Sequence, residues 1–308
     1  MAYETQKCGV DGCPLPSVSA RDDDFGMEFF KCHKCGAMRI PNDELDRLTV
    51  PPDPIGTDIS LPMRVLFGMR DRWFQSCLPG YENKEANILD VGCGDGQFLQ
   101  FLGTKGFEKR HGLEVNPERA AHALKRGVNV HSDISAVWNS ASDQFDLIFI
   151  WHVLEHLEFP VEVLRSFFPL LAEGGTIIVS VPNQDSLQNR LFGRMSSLVD
   201  YGRHVWYWRQ DYFSWLDEKY DDWNVTRVPE RNLEYELYSW LDSLVSVLLG
   251  KRNYVHMALK KGAAGFVNKI IAATLCAIFT PIAVLFSILA LIFSSASSTI
   301  TYRIIRAT

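Results

Sequence analysis

Basic residues are in the minority in this chain, and its few cysteines are unevenly placed. The 308 residues include 31 Lys and Arg against 37 Asp and Glu, which gives a net charge of −6. Without a basic excess no nucleic-acid partner is expected, because such proteins neutralise phosphates with Lys and Arg. The cysteines number seven, and no apolar stretch follows the initiator Met. Both features argue against a secreted disulfide-bonded protein and favour a reducing, cytosolic compartment.

Charge is absent altogether from residues 270–302, and residues 270–293 are almost wholly apolar. A segment of this length is long enough for a transmembrane helix. Five basic residues precede it, as expected on the cytoplasmic face of a membrane: Lys251, Arg252, Lys260, Lys261 and Lys269. Pro281, however, divides the segment into halves that are each about 16–20 Å long, less than the ~30 Å of a bilayer core.

The residues beyond the apolar segment bear on how it meets the membrane. Residues 298–306 are rich in β-formers and are predicted to be the last strand of a cytosolic sheet, with residues 222–228 as its antiparallel partner. The chain must therefore return to the side of the membrane that it left. We expect an apolar helical hairpin, inserted over about residues 264–296, that dips into the cytoplasmic leaflet. A single span and a buried or oligomerising helix pair are the alternatives.

Strand-like and helix-like segments alternate through the middle of the chain. The predicted strands are residues 87–91, 110–115, 128–131, 145–151 and 176–181. Helical patterns separate them, and an amphipathic helix over residues 61–78 precedes them. Such alternation predicts an α/β fold with right-handed crossovers. With the two C-terminal strands, we expect a Rossmann-like, seven-stranded, mostly parallel sheet with helices on both faces, formed by residues 51–308.

A glycine-rich loop follows the first of these strands. It contains Asp90, Gly92, Cys93, Gly94, Asp95 and Gly96. Its glycines permit a tight turn and a close approach of backbone to ligand, and amides at the start of the next helix face the same space. Glu114 ends the second strand, where a carboxylate can accept both ribose hydroxyls, and Asp133 follows the third, within reach of an adenine amino group. The carboxylates suit a cationic cofactor better than a pyrophosphate. A nicotinamide enzyme and a glycine turn without a ligand are the alternatives.

These segments carry a resemblance to a known family. The runs NILDVGCGDGQFL, GLEVNPE, SDI, FDLIFIWHVLEHL and LAEGGTIIVSVPN, spread over residues 87–183, resemble class I S-adenosylmethionine-dependent methyltransferases. The resemblance implies S-adenosyl-L-methionine as cofactor, with its methionine part in the loop of residues 90–96 and its ribose on Glu114. It also implies that Asp133 and Ile134 frame the adenine. His152 is expected to line the cofactor.

Three residues are candidates for catalysis: Glu155, His156 and His204. Methyl transfer needs a general base when the acceptor is a hydroxyl or an acidic carbon. Glu155 and His156 follow the fourth strand, whose carboxyl end faces the ligand crevice. Similar quinone O-methyltransferases read Glu-x-x-Glu-His here and can hold a divalent metal, whereas this chain has His152 in place of the first Glu. His156 could instead cap or pack against a helix start.

His204 lies in the aromatic run of residues 201–215, which could bind the acceptor or fill the core. The stretches VPNQDSLQNRLFG and GRHVWYW resemble bacterial methyltransferases often encoded among glycan-assembly enzymes. In that group the histidine lies close to the site, which makes His204 a second candidate base.

Two cysteine pairs mark the first fifty residues as a separate, zinc-ribbon-like module. Cys8, Cys13, Cys32 and Cys35 can supply four thiolates to a tetrahedral, structural zinc ion. Methyltransferases of the similar group begin with such a ribbon, which would cover the acceptor site. The alternative is a set of unliganded cysteines in a loose tail.

Together these features predict a membrane-associated methyltransferase whose acceptor is lipid-linked or otherwise membrane-proximal, such as a glycan. The first alternative is O-methylation of a quinone or another small molecule. An rRNA methyltransferase with a zinc ribbon is disfavoured by the acidic composition and the apolar segment. A non-enzymatic zinc-ribbon membrane scaffold is the alternative outside enzymes.

Overall fold

The computed structural model describes residues 19–22, 27–32, 36–40, 61–140, 144–200, 203–231, 233–259 and 265–307. The strands in these ranges are β1 Ser19–Asp22, β2 Met27–Lys31, β3 Met38–Arg39, β4 Ile88–Val91, β5 Arg110–Leu113, β6 Asn129–His131, β7 Phe145–Trp151, β8 Leu171–Pro182, β9 Trp206–Tyr207, β10 Trp223–Val228 and β11 Thr299–Arg306. The α-helices are α1 Leu61–Cys77, α2 Gln97–Thr104, α3 Pro117–Lys125, α4 Ile134–Ser140, α5 Pro160–Phe167, α6 Leu187–Phe192, α7 Gln210–Lys219, α8 Leu233–Leu249, α9 Tyr254–Leu259 and α10 Phe266–Ile292.

Seven strands form a central sheet in the order β6-β5-β4-β7-β8-β11-β10. The first five of these run parallel, and β11 lies antiparallel between β8 and β10. The predicted Rossmann-like, mostly parallel sheet is therefore confirmed. The strand order changes direction between β4 and β7, and at such a switch point a crevice opens beyond the carboxyl ends of the strands.

The sheet separates two hydrophobic clusters, one on each of its faces. Along β7, Ile148 and Ile150 belong to one cluster, whereas Leu147 and Phe149 belong to the other. This alternation is the geometry of a strand covered on both faces. It explains why residues 145–151 have a nearly continuous apolar sequence.

The apolar segment forms a single continuous helix, α10, so the prediction of a helical hairpin is wrong. Pro281 lies inside the helix without ending it. Tertiary packing holds the two halves in line, because Ala272 before the proline and Ala283 after it are both buried. Phe286 stacks on Trp240 of α8 with ring centroids 4.8 Å apart. These contacts offset the hydrogen bond that a proline removes from a helix interior.

Helix α10 has 27 residues and is the helix, within the described ranges, that is long and apolar enough to cross a membrane. Its buried residues are small, and only 17% of its most apolar stretch is buried. The chain then re-enters the sheet through β11. Asn183, which follows β8, donates its backbone N–H to the Ser298 carbonyl at 2.9 Å and its side-chain amide to the Ser297 carbonyl at 2.8 Å. The end of α10 is thereby fixed at the carboxyl edge of the sheet.

A second, smaller sheet joins the N-terminal segment to the main domain. Its strand order is β1-β2-β3-β9, and β9 follows the residues around His204. Of the four cysteines expected to bind zinc, Cys32 is described and buried, whereas Cys8, Cys13 and Cys35 lie outside the described residues. The described residues of the first fifty thus share a sheet with the main domain.

Candidate active site

The glycine loop turns sharply between β4 and α2. Gly92 and Gly96 have φ angles of 71° and 78°, the left-handed region that favours glycine. A Cβ on Gly92 would lie 2.5 Å from a methyl group of Val153, and one on Gly96 would lie 2.8 Å from the Cβ of Ala123. The loop therefore packs tightly against the segment after β7 and against α3, which leaves no room for side chains.

Glu114 connects this loop to the end of β5. Its Oε2 accepts the Gly94 N–H at 3.0 Å, and its Oε1 accepts the Asn116 N–H at 2.8 Å. The carboxylate is buried. Each carboxylate oxygen has two acceptor sites, so both can still accept a further hydroxyl. The arrangement is compatible with the predicted ribose contact.

A cleft of about 300 Å³ opens beside the loop. It brings together four of the predicted cofactor residues: Asp90, Gly92, Cys93 and Asp95. Arg70 from α1 lines the same cleft, with aromatic side chains that include Phe98 and Trp151. The Arg70 guanidinium carbon lies 4.7 Å from the ring centroid of Trp151 and 4.8 Å from that of Phe98.

The cleft holds charged groups of both signs. Burial raises the pKa of Asp90 to about 7, the Arg70 cation lowers it, and the Glu114 carboxylate raises it further. Asp95 is paired with Arg126, with 3.5 Å between the carboxylate oxygen and the guanidinium nitrogen. S-adenosylmethionine carries an ammonium, a carboxylate and a sulfonium group. Asp90 is suited to the ammonium and Arg70 to the carboxylate, so the residues of the cleft fit this cofactor.

Asp133 has a structural role at the start of α4. Its carboxylate accepts the Ala136 backbone N–H at 2.8 Å and also bonds the Ser135 and Ser132 hydroxyls. These hydrogen bonds, that of Ser135 foremost, hold the pKa of Asp133 below its usual range. The next residue, Ile134, packs against the hydrophobic core. Asp133 is therefore a helix cap, and its contact with adenine stays a prediction.

His152 and Glu155 lie just beyond β7. His152 has a positive φ of 53°, which costs a non-glycine residue about 1 kcal/mol or more. Its Nδ1 lies 3.2 Å from Glu155 Oε1, and its ring stacks on Tyr235 of α8 with centroids 4.2 Å apart. His152 Nε2 and Glu155 Oε2 are buried and have no hydrogen-bond partner among the described residues.

Glu155 lies at the centre of a cluster of three histidines. Burial alone would raise its pKa, but the hydrogen bond from His152 and the charges of His152, His204 and His156 hold it below the usual range. His204 Nε2 lies 4.0 Å from Glu155 Oε1, and the rings of His204 and His156 have centroids 5.0 Å apart. The chain brings His204 here from 48 positions beyond His156. The three predicted catalytic residues therefore lie together.

The two candidate bases differ in exposure. Burial lowers the pKa of His204 to about 4, so its imidazole is neutral at pH 7. His156 is exposed. Its Nδ1 lies 2.9 Å from the carbonyl oxygen of Arg203. A carbonyl can only accept, so Nδ1 of His156 carries the proton and Nε2 keeps a lone pair.

The same residues fit a divalent metal ion of the kind that the resemblance to quinone O-methyltransferases implies. One ligand atom from each of Glu155, His156 and His204 lies within 4.8 Å of the others. His204 thus provides the third ligand atom beside those of Glu155 and His156. Glu155 Oε2 is buried and has no hydrogen-bond partner among the described residues. A metal held there would act as a Lewis acid on an acceptor oxygen.

The aromatic run of residues 201–215 is mostly core. The side chains of Trp206, Tyr207, Trp208, Tyr212 and Phe213 are all buried. The packing interpretation is therefore correct for these five, and their faces are not available to a sugar or a prenyl chain.

Sequence reasoning missed two residues of the site, Arg70 and Tyr235. Arg70 had a signal, since it is a cation on the apolar face of an amphipathic helix, between Phe67 and Trp73. Tyr235 had none, because its contact with His152 depends on how α8 packs across the end of the sheet.

Comparisons with known proteins agree with this geometry. A family model for a methyltransferase domain matches residues 69–225, about half of the chain. The ubiquinone biosynthesis O-methyltransferase of Aeromonas salmonicida (strain A449) is 28% identical over 131 residues, 40% of this chain and 54% of that protein. Ajmaline N-methyltransferase of Rauvolfia serpentina is 31% identical over 106 residues, 32% of this chain and 36% of that protein. The chain thus spans about half the length, or less, of these curated relatives.

Solved structures resemble the chain over a greater length. The plantazolicin methyltransferase BpumL in complex with a monoazolic desmethylPZN analog and SAH has a TM-score of 0.45 and 14% identity, over 80% of this chain and 83% of that chain. Coclaurine N-methyltransferase bound to N-methylheliamine and SAH has a TM-score of 0.46 and 14% identity, over 87% of this chain and 81% of that chain. Because the matching family model covers half of the chain, the chain belongs to the methyltransferase domain family.

Proposed function

We propose that this enzyme transfers the methyl group of S-adenosylmethionine to a hydroxyl of a lipid-linked or membrane-proximal acceptor, such as a lipid-carried glycan. The observation that carries the proposal is the position of α10. This helix has an exposed apolar face and packs on α8, which in turn contacts the histidine cluster through Tyr235.

The apolar face of α10 is extensive. Its exposed large apolar side chains are Phe266, Val267, Ile270, Ile271, Ile278, Ile282, Leu285, Ile288, Leu289 and Ile292. Val247 and Leu248 of α8 are exposed as well. This exposed apolar patch is larger than the patches that soluble monomeric proteins usually have. It suits the acyl region of a bilayer. Because β11 returns the chain to the sheet, we infer that α10 lies along one leaflet at the cytoplasmic face and does not span the membrane.

Two connections link this face to the site. The C-terminal end of α10 is bonded to the residue after β8, with 3.0 Å between Asn183 Nδ2 and the Ser295 carbonyl oxygen. At the other side, α8 packs on α10 and presents Tyr235 to His152. An acceptor held in the same membrane would reach the site at high effective concentration.

The chemistry of the site suits a hydroxyl acceptor. The cleft orients the methyl donor, and in-line placement supplies most of the acceleration. His156 Nε2 can take the hydroxyl proton, because the Arg203 carbonyl holds the proton of Nδ1. Glu155 orients the cluster and stabilises the charge that develops on the histidines, and His204 is the second candidate base. A general base contributes about 10²–10⁴-fold to such a reaction.

The N-terminal module is proposed to bind one structural zinc ion through Cys8, Cys13, Cys32 and Cys35. In the described part of the module, Cys32 N–H bonds the Ala37 carbonyl at 2.8 Å, and Gly36 N–H bonds the Cys32 carbonyl at 2.9 Å. This tight turn after a cysteine, with Gly36 at a positive φ of 69°, is compatible with a zinc knuckle.

The second candidate function is O-methylation of a quinone. Its support is the name of the curated relatives, ubiquinone biosynthesis O-methyltransferases. A quinone is also a lipid-phase acceptor, so the apolar face of α10 does not separate the two functions. A non-enzymatic scaffold is disfavoured by the intact cofactor cleft, and a titration with S-adenosylmethionine would test it.

The test is to supply methyl-labelled S-adenosylmethionine to membranes with and without the protein, and then to separate lipid, glycan, RNA and protein. We expect label in a lipid-linked glycan. Label confined to RNA or to soluble metabolites would contradict the membrane acceptor. Label in a quinone would favour the second function.

A further inference from the structure

The segment that carries His204 is held from two sides. On the inner side, Val205 N–H donates to the Glu155 carbonyl at 2.7 Å, and the indole N–H of Trp206 donates to the Leu157 carbonyl at 2.8 Å. The Arg203 carbonyl in turn accepts from His156. The residues around His204 therefore determine the positions of both candidate bases relative to Glu155.

The outer side of the segment is bonded to the N-terminal module. β3 pairs antiparallel with β9, with Met38 opposite Tyr207 and Arg39 opposite Trp206. Beyond these pairs, Ile40 N–H donates to the Val205 carbonyl at 3.0 Å. Ile40 is completely buried. Val205 is thus bonded to Glu155 through its N–H and to the module through its carbonyl.

Side-chain contacts reinforce the pairing. The Arg39 guanidinium carbon lies 5.4 Å from the ring centroid of Trp206. Cys32 and Ala37 belong to the same hydrophobic cluster as Trp206 and Trp208. A two-residue strand such as β9 is marginal by itself, so its position depends on the strand that it pairs with.

We propose that the N-terminal module is a positioning element of the active site, which holds the His204 segment in place through β3 and Ile40. The proposal rests on the proposed function of the histidine cluster. Loss of the β3–β9 pairing would let the segment move away from Glu155. A misplacement of about 1 Å at a reacting group can lower a rate about 10²-fold, whereas the cofactor cleft is built from other elements and should be unaffected.

The test compares Ile40→Pro with Ile40→Val in the full chain. Proline removes the amide that bonds Val205, whereas valine keeps it and changes little volume. We measure amide hydrogen exchange at Val205 and Trp206, binding of S-adenosylhomocysteine, and the rate and apparent KM for S-adenosylmethionine with isolated membranes as acceptor. Arg39→Ala, which removes the contact with the Trp206 ring and keeps the backbone amides of β3, serves if the proline variant does not fold.

Ile40→Pro is expected to speed exchange at Val205 and Trp206 and to lower kcat about tenfold or more, without a change in S-adenosylhomocysteine affinity or in the KM for S-adenosylmethionine. Ile40→Val should match the wild type. Unchanged exchange and unchanged kcat in Ile40→Pro would overturn the proposal, and so would a loss confined to cofactor binding. Wild-type protein that labels nothing would contradict the proposed function instead, and the exchange rates would then decide the positioning role by themselves.

Discussion

At the scale of single residues, burial of Asp90 makes its protonation the property of the cleft that is most sensitive to a bound cation. Asp90 has a pKa raised to about 7 from a usual value of 3.8, because burial disfavours its charged form. In the free protein the folded state therefore holds a proton that the unfolded state releases, and the free energy of unfolding falls as the pH rises between these values. A bound ammonium group reverses the preference and stabilises the charged carboxylate.

The first prediction is that S-adenosylmethionine binds more tightly as the pH rises from about 6 to about 8, by up to about tenfold per pH unit below the pKa of Asp90. Binding should release a proton in this range, which calorimetry in buffers of different ionisation enthalpy would detect. Asp90→Asn should bind weakly, with a flatter pH dependence. The variant also controls for the titration of the ligand itself. An equally steep profile in Asp90→Asn would contradict the assignment of Asp90.

The second prediction concerns Glu114, which bonds the glycine loop and is expected to hold the ribose. Glu114→Ala should weaken S-adenosylmethionine binding by about 1.5–3 kcal/mol, the range for hydrogen bonds to a charged group. Glu114→Gln keeps one acceptor oxygen and should lose less. Glu118→Ala is the matched control, since Glu118 is an exposed glutamate at the start of α3. A wild-type protein that binds NAD and ignores S-adenosylmethionine would refute the cofactor assignment.

At the scale of elements, α10 shows where local sequence reasoning fails. Two halves separated by Pro281 are each too short to span a bilayer, and from this the sequence predicted a hairpin. The structure has one helix, with Ala272 before the proline and Ala283 after it both buried, and Phe286 stacked on Trp240 of α8. Proline weakens a helix locally, but neighbouring helices decide whether the weakness becomes a bend.

The third prediction is that α10 binds membranes through its exposed face. Ile278→Lys combined with Leu285→Lys places two charges where the side chains are 61% and 56% exposed. A lysine costs as much as about 2.5–3.5 kcal/mol at the centre of a membrane helix, so this variant should remain in the supernatant when membranes are pelleted. Asn224→Lys combined with Thr226→Lys on exposed β10 adds the same charge and should pellet like the wild type. Equal pelleting of both variants would rule out this face as the anchor.

At the scale of the whole molecule, three distant parts of the chain meet at the carboxyl edge of one sheet. The glycine loop and α1 form the cofactor cleft, the end of β7 presents Glu155 and His156, and the N-terminal module reaches the same edge through β9. The end of α10 is bonded there as well. The cleft, the candidate bases, the apolar helix α10 and the strands of the N-terminal module are thus joined at one edge of the sheet.

The fourth prediction is that the purified protein carries one zinc ion per chain, bound by the four N-terminal cysteines. Cys32→Ser should release the zinc, as elemental analysis would measure, and should increase proteolysis of the first fifty residues. Cys77→Ser is the matched control, because Cys77 belongs to α1 in the main domain. Metal-free protein from a preparation without chelator would count against the zinc site.

The sequence by itself was enough to predict the sheet, the methyltransferase family and the sharp glycine turn after β4. Those features rest on short-range patterns: buried strands of continuous apolar residues, glycines at positive φ, and Glu114 at the end of β5. Chemistry and neighbours along the chain determine such features, so a linear pattern reveals them. The grouping of Glu155, His156 and His204 was only half visible, because the resemblance pointed to each residue but not to their mutual distances.

Tertiary structure alone determined that α10 is continuous and that most of the aromatic run after residue 203 is buried. It also determined that Arg70 lines the cleft and that Ile40 is hydrogen-bonded to Val205. Each depends on contacts between segments far apart in the chain. Packing energies of that kind are sums over partners that no local pattern specifies. For this reason the sequence did not reveal that Pro281 lies within a continuous helix. Nor did it reveal that a two-residue strand joins the N-terminal module to the segment that carries His204.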